Sequence, residues 1–131
     1  MQPKLIKFQQ IGEKEIGYIS VAQYDQNLPF EVKRVYWVYG TPENVERGNH
    51  AHREGKTVLV AVAGEVEVIL ENIKGEEMVF LLNDPNVGLF VPNLHWRKIH
   101  IKNHGALISL ASMEYKEEDY IREYEIFKGL C

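Results

Sequence analysis

The 131-residue chain is long enough for one domain with a hydrophobic core and too short for two ordinary domains, so residues 1–131 are predicted to form a single domain. Hydrophobic residues make up 45% of the sequence and charged residues 26%, which is typical of a soluble globular protein and excludes a disordered chain. The net charge of −4 argues against a nucleic-acid partner, no apolar run could span a bilayer, and the single cysteine, Cys131, excludes a disulfide framework.

The chain is predicted to be all-β. Runs rich in Val, Ile, Tyr and Leu predict strands at 15–22, 31–39, 57–62, 65–71, 77–82, 87–91, 96–101 and 107–111. Turn signals separate several of them, at Ala63-Gly64, Lys74-Gly75, 83–86 and 103–105. The run 57–62 is apolar on both faces and is expected to lie centrally, whereas 65–71 alternates like a half-buried antiparallel strand. Short strands at this spacing indicate a sandwich or barrel, and only 116–128 is predicted to be partly helical.

A histidine pair stands ahead of the central apolar run, in the sequence Arg47-Gly48-Asn49-His50-Ala51-His52-Arg53. In an extended strand, residues i and i+2 point to the same face, so the two imidazoles are expected to project side by side. Such a pair can bind a metal ion or carry protons. It can also be two surface histidines on an edge strand.

The pair, followed by Gly64 and then by Gly88, Pro92 and His95, resembles the two short motifs of the cupins, which are small jelly-roll barrels. Metal-binding cupins usually carry a glutamate a few residues after the pair, where this chain has Lys56 and Thr57. A cation close to a bound metal would raise its electrostatic cost, so no metal is expected. A three-histidine set of His50, His52 and His95 remains an alternative.

Several further blocks, in the same order along nearly the whole chain, resemble the sugar-nucleotide 3,4-ketoisomerases, which are WxcM-like enzymes with a cupin fold that act on dTDP-4-keto-6-deoxy-D-glucose. The matching blocks are Pro29-Phe30-Glu31-Val32-Lys33-Arg34-Val35-Tyr36, Arg47-Gly48-Asn49-His50-Ala51-His52, Leu82-Asn83-Asp84-Pro85-Asn86-Val87-Gly88-Leu89, Leu110-Ala111-Ser112 and Asp119-Tyr120-Ile121-Arg122-Glu123-Tyr124. The resemblance implies a cupin jelly roll with a short C-terminal helical segment. It also implies an isomerase that needs no cofactor, because the hexose is oxidised at one carbon and reduced at its neighbour.

The resemblance places the histidine pair beside the hexose. It implies His52 as the base at C3 and His50 as the group that handles protons at the C3 and C4 oxygens, with the opposite assignment nearly as favourable. Arg47 is expected to hold the enediolate oxygen or the diphosphate. Arg34 and Tyr36 share a face and are expected at the barrel mouth, Arg34 binding substrate and Tyr36 taking part in catalysis; a cross-strand ion pair and a core aromatic are the alternatives.

Other candidate substrate contacts follow from the residue types. Trp96 offers an aromatic face for thymine, with core packing equally favourable. Arg97 could reach a phosphate bidentately, with a solvated arginine equally favourable. Thr57 stands where relatives have glutamine, and His95 where an aliphatic residue is usual, so both are expected to contact substrate and to affect which hexose is accepted. The acidic run 114–119 is predicted to be a solvated face. Tyr120, Arg122 and Tyr124 are expected to pack the tail onto the barrel or a partner chain.

The resulting prediction is a cytoplasmic, homodimeric 3,4-ketoisomerase whose product is converted by an aminotransferase to a 3-amino sugar for a surface glycan such as an O-antigen, lipopolysaccharide or S-layer glycan. Three alternatives remain. The first is a sugar-nucleotide epimerase, which would leave the carbonyl at C4. The second is a metal-dependent cupin oxygenase. The third is a non-catalytic cupin that binds a sugar nucleotide without changing it.

Overall fold

The computed structural model describes residues 1–131 and is almost entirely β-structure, as predicted. In chain order the strands are β1 (Lys4–Lys7), β2 (Gln9–Glu13), β3 (Gly17–Val21), β4 (Arg34–Val38), β5 (Glu46–His52), β6 (Thr57–Asn72), β7 (Glu77–Leu82), β8 (Val87–Val91), β9 (His95–Ala111) and β10 (Tyr120–Ile121). A 3₁₀ turn at Glu117–Asp119 and one α-helix, α1 (Tyr124–Lys128), complete the chain. No helix has the length and hydropathy needed to cross a bilayer.

The strands form one antiparallel sheet in the order β1-β8-β6-β9-β5-β10, from which β7 branches at β6 and β4 branches at β9. The two long strands, β6 and β9, pair with each other from Thr57↔Ala111 to Asn72↔His95. Every other strand of this sheet except β1 and β10 pairs directly with one of the two. The hairpin β2–β3 is a separate two-stranded sheet.

Two predicted turns are bends inside long strands. The predicted strands 57–62 and 65–71 are one strand, β6, and 96–101 and 107–111 are one strand, β9. The register between them shifts at Ala63, and Gly64 has a φ of +63°. Across from it, Asn103 and His104 are also left-handed, with φ of 55° and 54°. The turn residues therefore produce a pair of bulges that bend the ladder without ending it, which curls the sheet into a barrel.

The central run of β6 is buried on both faces, which confirms the sequence prediction. Leu59 and Ala61 belong to a cluster of 11 buried residues inside the barrel. Val58 and Val60 belong to a second cluster of 7 residues that packs against the outer side of the same strand. Because alternate residues of a strand point to opposite faces, a strand covered on both sides needs a continuous apolar run.

Three local predictions differ from the structure. β1, β2 and β5 carry no strong β pattern and are not among the predicted strands, and β5 contains the histidine pair. The segment 116–128 is helical only at its ends, because Tyr120 and Ile121 pair with His52 and Ala51 of β5. In addition, the acidic run 114–119 is not wholly solvated, since Asp119 is only 8% exposed.

The bend at Gly64 yields a stability prediction. A Cβ on Gly64 would lie 2.6 Å from the Asn103 carbonyl oxygen, in addition to the cost of the left-handed backbone. Gly64→Ala is therefore expected to lower the free energy of unfolding by about 2–4 kcal/mol, measured by urea denaturation.

Gly75→Ala is the matched control. Gly75 is also left-handed, with a φ of +86°, but the nearest atom to its added Cβ is the flexible Lys128 side chain at 3.5 Å. It should cost only about 1–2 kcal/mol, because the backbone strain remains without the clash. Equal losses in the two variants would contradict the close approach at the bend.

Candidate active site

The histidine pair lies at the end of β5, where the strand departs from regular pairing with β9. Gly48 and Asn49 are left-handed, with φ of 89° and 55°, and the register shifts between Gly48 and His50. A Cβ on Gly48 would lie 2.8 Å from the carbonyl oxygen of Arg97, so this position needs glycine. The bulge brings the His50 and His52 rings to 5.0 Å between centroids, in an edge-to-face arrangement.

Both imidazoles are neutral, and in each ring Nδ1 makes a hydrogen bond whereas Nε2 makes none. Burial, with help from the Arg97 charge, lowers the pKa of each from 6.5 to about 3. In the neutral rings, the Nδ1–H of His50 donates to the Gly48 carbonyl at 3.1 Å, and the Nδ1–H of His52 donates to Asp119 Oδ2 at 2.9 Å. The Nε2 atom of each ring is buried and has no hydrogen-bond partner. Each Nε2 is therefore free to accept a proton.

His50 faces the main cavity of the barrel, which has a volume of about 290 Å³. The floor is apolar, and the polar wall is formed mainly by cations. The lining residues are Tyr36, Val38, Glu46, Arg47, Gly48, His50, Leu59, Arg97, Ile99, Ile101, Leu107 and Arg122. His52 is only 2% exposed and lines a much smaller adjoining cavity with Arg34, Thr57 and Tyr120. The cavity suits a polar, anionic ligand with a compact apolar part.

Arg97 is the most unusual residue of the site. It lies on β9 opposite His50, is only 1% exposed, and forms no ion pair with a carboxylate. Its Nη1 donates to Thr57 Oγ1 at 3.0 Å, whereas Nε and Nη2 are buried without partners. A buried guanidinium with unused donors is costly, and an anion between it and the histidines would relieve that cost.

The C-terminal segment completes the wall around the histidines. The Tyr120 ring lies 4.4 Å from the His52 ring and 5.0 Å from the His50 ring. Its hydroxyl accepts a hydrogen bond from Arg34 Nη2 at 3.0 Å. Arg122 lies over the outer side of Tyr120, 4.3 Å from the ring centroid, and reaches the cavity. The side chains of Tyr120 and Arg122 project to the same side because they are two residues apart in an extended segment.

The structure brings most of the residues singled out from the sequence to this region. His50, Tyr36, Arg47 and Arg97 line the main cavity, and Arg34, His52 and Thr57 line the adjoining one. Arg34 stacks against Tyr36, with 5.3 Å from its Cζ to the ring centroid, and does not form the cross-strand ion pair considered as its alternative.

Trp96 and His95 lie elsewhere. Trp96 is buried under α1, in contact with Tyr124 and Phe127 at ring distances of 5.3 and 5.8 Å. It alternates with Arg97 along β9, so it points away from the barrel interior. His95 lies outside the cavity, where its Nδ1 forms a hydrogen bond with the Asn93 carbonyl oxygen. No group of three or more His, Cys, Asp and Glu side chains is arranged to hold a metal ion, so the three-histidine set is not assembled.

Asp119, Tyr120 and Arg122 are the site residues that sequence reasoning missed. The sequence predicts Asp119 to lie in a solvated acidic run and Tyr120 and Arg122 to pack the tail onto the barrel or a partner chain. The order of residues in Asp119-Tyr120-Ile121-Arg122 does not alternate between polar and apolar, so the segment carries no local strand signal. Asp119 and its partner His52 on β5 are 67 residues apart along the chain, so the local sequence pattern does not predict this contact.

Comparison with known proteins agrees with the family expected from the sequence. A family model described as WxcM-like, C-terminal matches residues 1–131. The chain is 37% identical over 131 residues to a TDP-4-oxo-6-deoxy-alpha-D-glucose-3,4-oxoisomerase of Aneurinibacillus thermoaerophilus, an alignment that covers 98% of this chain and 91% of the relative.

Solved structures of similar proteins share the fold. The sugar 3,4-ketoisomerase QdtA of Thermoanaerobacterium thermosaccharolyticum, in complex with TDP, has a TM-score of 0.92 and 34% identity, covering 98% of this chain and 93% of that one. A 3,4-ketoisomerase of Helicobacter canadensis has a TM-score of 0.92 and 34% identity, covering 99% and 97%. A histidine-to-asparagine variant of QdtA was crystallised with TDP-4-keto-6-deoxyglucose. These likenesses confirm the predicted cupin jelly roll.

The neutral state of His50 predicts how stability depends on pH. Its pKa is 6.5 in the unfolded chain and about 3 in the folded one, so below pH 6.5 the unfolded state binds a proton that the folded state does not. Stability must therefore fall as the pH drops from 6.5 towards 3, by roughly 2 kcal/mol from this histidine at pH 5. His50→Gln should flatten the dependence of the urea midpoint on pH between 7 and 5. The control His104→Gln, at an exposed bend, should leave it unchanged; equal slopes in the wild type and His50→Gln would contradict the assignment.

Proposed function

This chain belongs to the WxcM-like, C-terminal family, and from that membership we propose its reaction and the roles of its side chains. It is an isomerase of the sugar-nucleotide 3,4-ketoisomerase type, which moves a carbonyl between C4 and C3 of a TDP-linked 6-deoxyhexose. The substrate is dTDP-4-keto-6-deoxy-D-glucose and the product a dTDP-3-keto-6-deoxyhexose. The observation that carries the proposal for the mechanism is the pair of neutral imidazoles whose free Nε2 atoms lie beside the unpaired Arg97.

The reaction requires proton transfers at two carbons and two oxygens, and one stabilised anion. The C3 proton is removed and an enediolate forms across C3 and C4. A proton is then delivered to C4, the C3 hydroxyl loses its proton as it becomes the carbonyl, and the C4 oxygen gains a proton as it becomes a hydroxyl. General acid–base catalysis of such steps contributes roughly 10²–10⁴ in rate. Fixed donors or charges aimed at the developing oxyanion contribute a few kcal/mol more.

We assign the carbon-bound protons to His52 and the oxygen-bound protons to His50. A base must be neutral with a free lone pair, and both rings meet that requirement at Nε2. His50 lines the main cavity, where the sugar hydroxyls would lie, and His52 is deeper and held on one side by a carboxylate. The carboxylate favours His52 for the step in which the ring becomes positively charged.

We assign the enediolate to Arg97. Its Nε and Nη2 atoms are buried and have no partner, and its charge is close enough to lower the pKa of both histidines. An oxyanion formed next to the histidines would therefore meet donors already in place in a site of low dielectric. This role replaces the phosphate contact expected from the sequence, because a diphosphate is too large and too charged for so enclosed a position.

The cavity mouth suits the diphosphate. Arg47 and Arg122 both line the cavity and both belong to its exposed part. Two guanidinium groups can hold a diphosphate with charge-assisted hydrogen bonds, Arg122 in exchange for its ion pair with Glu117, whose carboxylate accepts from Nε at 2.6 Å and Nη2 at 2.9 Å. Tyr36 lines the same cavity and is proposed to contact the hexose, and Arg34 and Thr57 hold Tyr120 and Arg97 in place through the hydrogen bonds described above.

Beyond the reaction itself, we propose a place for it in the cell. A 3-keto sugar is the substrate that a pyridoxal-phosphate aminotransferase needs to make a 3-amino sugar, which would enter a surface glycan such as an O-antigen, lipopolysaccharide or S-layer glycan. Nucleotide sugars are made in the cytoplasm, so we place the enzyme there.

We also propose that the enzyme is a homodimer in which hairpin β2–β3 docks on a second copy. Ile11 and Ile19 are direct cross-strand partners, and they are 49% and 63% exposed. An isolated two-stranded hairpin with exposed apolar residues is at best marginally stable in water. β4 is an edge strand that pairs only with β9, and its Trp37 is 62% exposed, so an unpaired edge and an apolar face are available to cover the hairpin.

The dimer is tested by light scattering after size-exclusion chromatography. The wild type should have twice the chain mass of 15.2 kDa, and the double variant Ile11→Lys/Ile19→Lys should be a monomer. The matched control is Val79→Lys/Leu81→Lys, which places two lysines on the exposed apolar face of β7 and should stay dimeric. A monomeric wild type would overturn the proposal, as would loss of the dimer only in the β7 variant.

The reaction is tested by proton NMR of the purified protein with dTDP-4-keto-6-deoxy-D-glucose in D₂O. We expect a 3-keto product that carries deuterium where the transferred proton exchanges with solvent, and the coupling of its C4 proton identifies the gluco or galacto configuration. His52→Asn and Arg97→Met should each reduce turnover by about 100-fold or more, since one removes the base and the other the oxyanion partner. His104→Asn serves as the matched control and should turn over like the wild type.

Other outcomes separate the alternatives. Deuterium incorporation with the carbonyl retained at C4 would indicate an epimerase. Binding of the sugar nucleotide without any change would indicate a non-catalytic cupin. Activity that disappears on chelation and returns with a divalent metal would indicate a metal-dependent cupin.

A further inference from the structure

We infer that Asp119 is the positioning residue of the base: it holds His52 in the tautomer whose Nε2 can take the C3 proton. The inference rests on the proposed ketoisomerase function and extends it to a residue outside the histidine pair. It assigns a role to a carboxylate that touches neither the main cavity nor the reacting atoms.

The geometry around Asp119 leaves its carboxylate one orientation. Oδ1 accepts hydrogen bonds from the backbone N–H groups of Glu54 at 2.7 Å and Gly55 at 3.3 Å. Oδ2 accepts from the Nδ1–H of His52 at 2.9 Å and from the same Gly55 N–H at 3.2 Å. Asp119 is 8% exposed and His52 is 2% exposed, so water does not compete for these contacts. The carboxylate is an acceptor in every one of them, which requires the imidazole proton to be on Nδ1.

The backbone around Asp119 holds its carboxylate next to His52. The Asp119 carbonyl accepts from the Arg53 N–H at 2.8 Å, and the next residue, Tyr120, pairs with His52 in the β5–β10 ladder. Gly55 lies so close that a Cβ there would be 2.7 Å from Asp119 Oδ2. The turn after the histidine pair therefore wraps around the carboxylate, and a larger residue at position 55 would displace it.

The two histidines differ in what holds Nδ1. His50 donates to the neutral carbonyl of Gly48, and His52 donates to the carboxylate of Asp119. Either partner fixes the tautomer and accepts from the protonated ring, but the carboxylate carries a full negative charge and stabilises the positive ring more than a neutral carbonyl does. The difference identifies His52 as the ring that gains charge in the reaction.

Asp119→Asn is the decisive variant, because the backbone dictates how the amide must lie. The Glu54 N–H requires an acceptor at the Oδ1 position, and the Gly55 N–H, which is shared between Oδ1 and Oδ2, can bond there as well, so the amide oxygen occupies that position. The amide NH₂ then faces His52 Nδ1 and donates to it, which moves the imidazole proton to Nε2. The ring keeps its place and loses its free lone pair at the reacting end.

Two measurements on the whole protein test the inference. Nitrogen-15 NMR of the imidazoles should show His52 of the wild type protonated at Nδ1 and, in Asp119→Asn, protonated at Nε2. With dTDP-4-keto-6-deoxy-D-glucose, Asp119→Asn should lower kcat by about 100-fold or more, with KM and the affinity for TDP changed less than threefold. Glu118→Gln is the matched control, since it removes the same charge from the adjacent, exposed residue and should behave like the wild type.

Three results would overturn the inference. The first is a wild-type His52 protonated at Nε2. The second is an Asp119→Asn variant with the inverted tautomer and wild-type turnover. The third is a variant whose kcat, KM and TDP affinity deteriorate together with its melting temperature, which would indicate a structural role alone. A wild type that leaves this substrate unchanged would overturn the proposed function, and the tautomer measurement would still decide the role of Asp119.

Discussion

The antiparallel pairing of β6 with β9 is the constraint on which the rest of this molecule depends. β7 and β8 pair with β6, and β4 and β5 pair with β9, so the register of one ladder fixes the placement of most of the sheet. That register places Arg97 opposite Leu70 on one side and opposite His50 on the other. It also lets the Arg97 side chain reach Thr57 at the far end of β6. A shift by one residue would turn Arg97 out of the barrel and Trp96 into it.

Within that frame, the site concentrates unfavourable electrostatics. A fully buried guanidinium without a carboxylate partner and two imidazoles kept neutral by burial all reduce the stability of the folded protein. The cost is tolerated because a core of 11 apolar residues packs against the same strands, and a second cluster covers the other face of β6. Such an arrangement favours an anionic ligand over a neutral one, since the anion supplies the charge that the cavity lacks.

The sequence predicted those parts of the structure that have a local or repeated signature. The apolar run at 57–62 has to be central, β7 and β8 match their predicted bounds, and the histidine pair projects side by side from one strand. The predictions were wrong where the same residues are compatible with two different local structures. Ala63-Gly64 and 103–105 have the composition of turns, but their partners across the ladder make them bulges. Trp96 and Arg97 were both candidates for the pocket, and only the strand phase, set by distant pairing, decides which one enters it.

The part of the site least accessible to sequence reasoning is the contribution of the tail. Asp119, Tyr120 and Arg122 reach the histidines only because β10 pairs with β5, and that pairing is two residues long. So short a ladder cannot hold by itself. It is supported by the Ile121, Phe127, Trp96 and Ala51 cluster, in which residues of the tail pack against β5 and β9. Trp96 therefore serves the site from outside the barrel: it anchors the segment that carries Asp119 to His52. The residue that the sequence suggested for binding a nucleobase instead helps to hold the tail against the histidine pair.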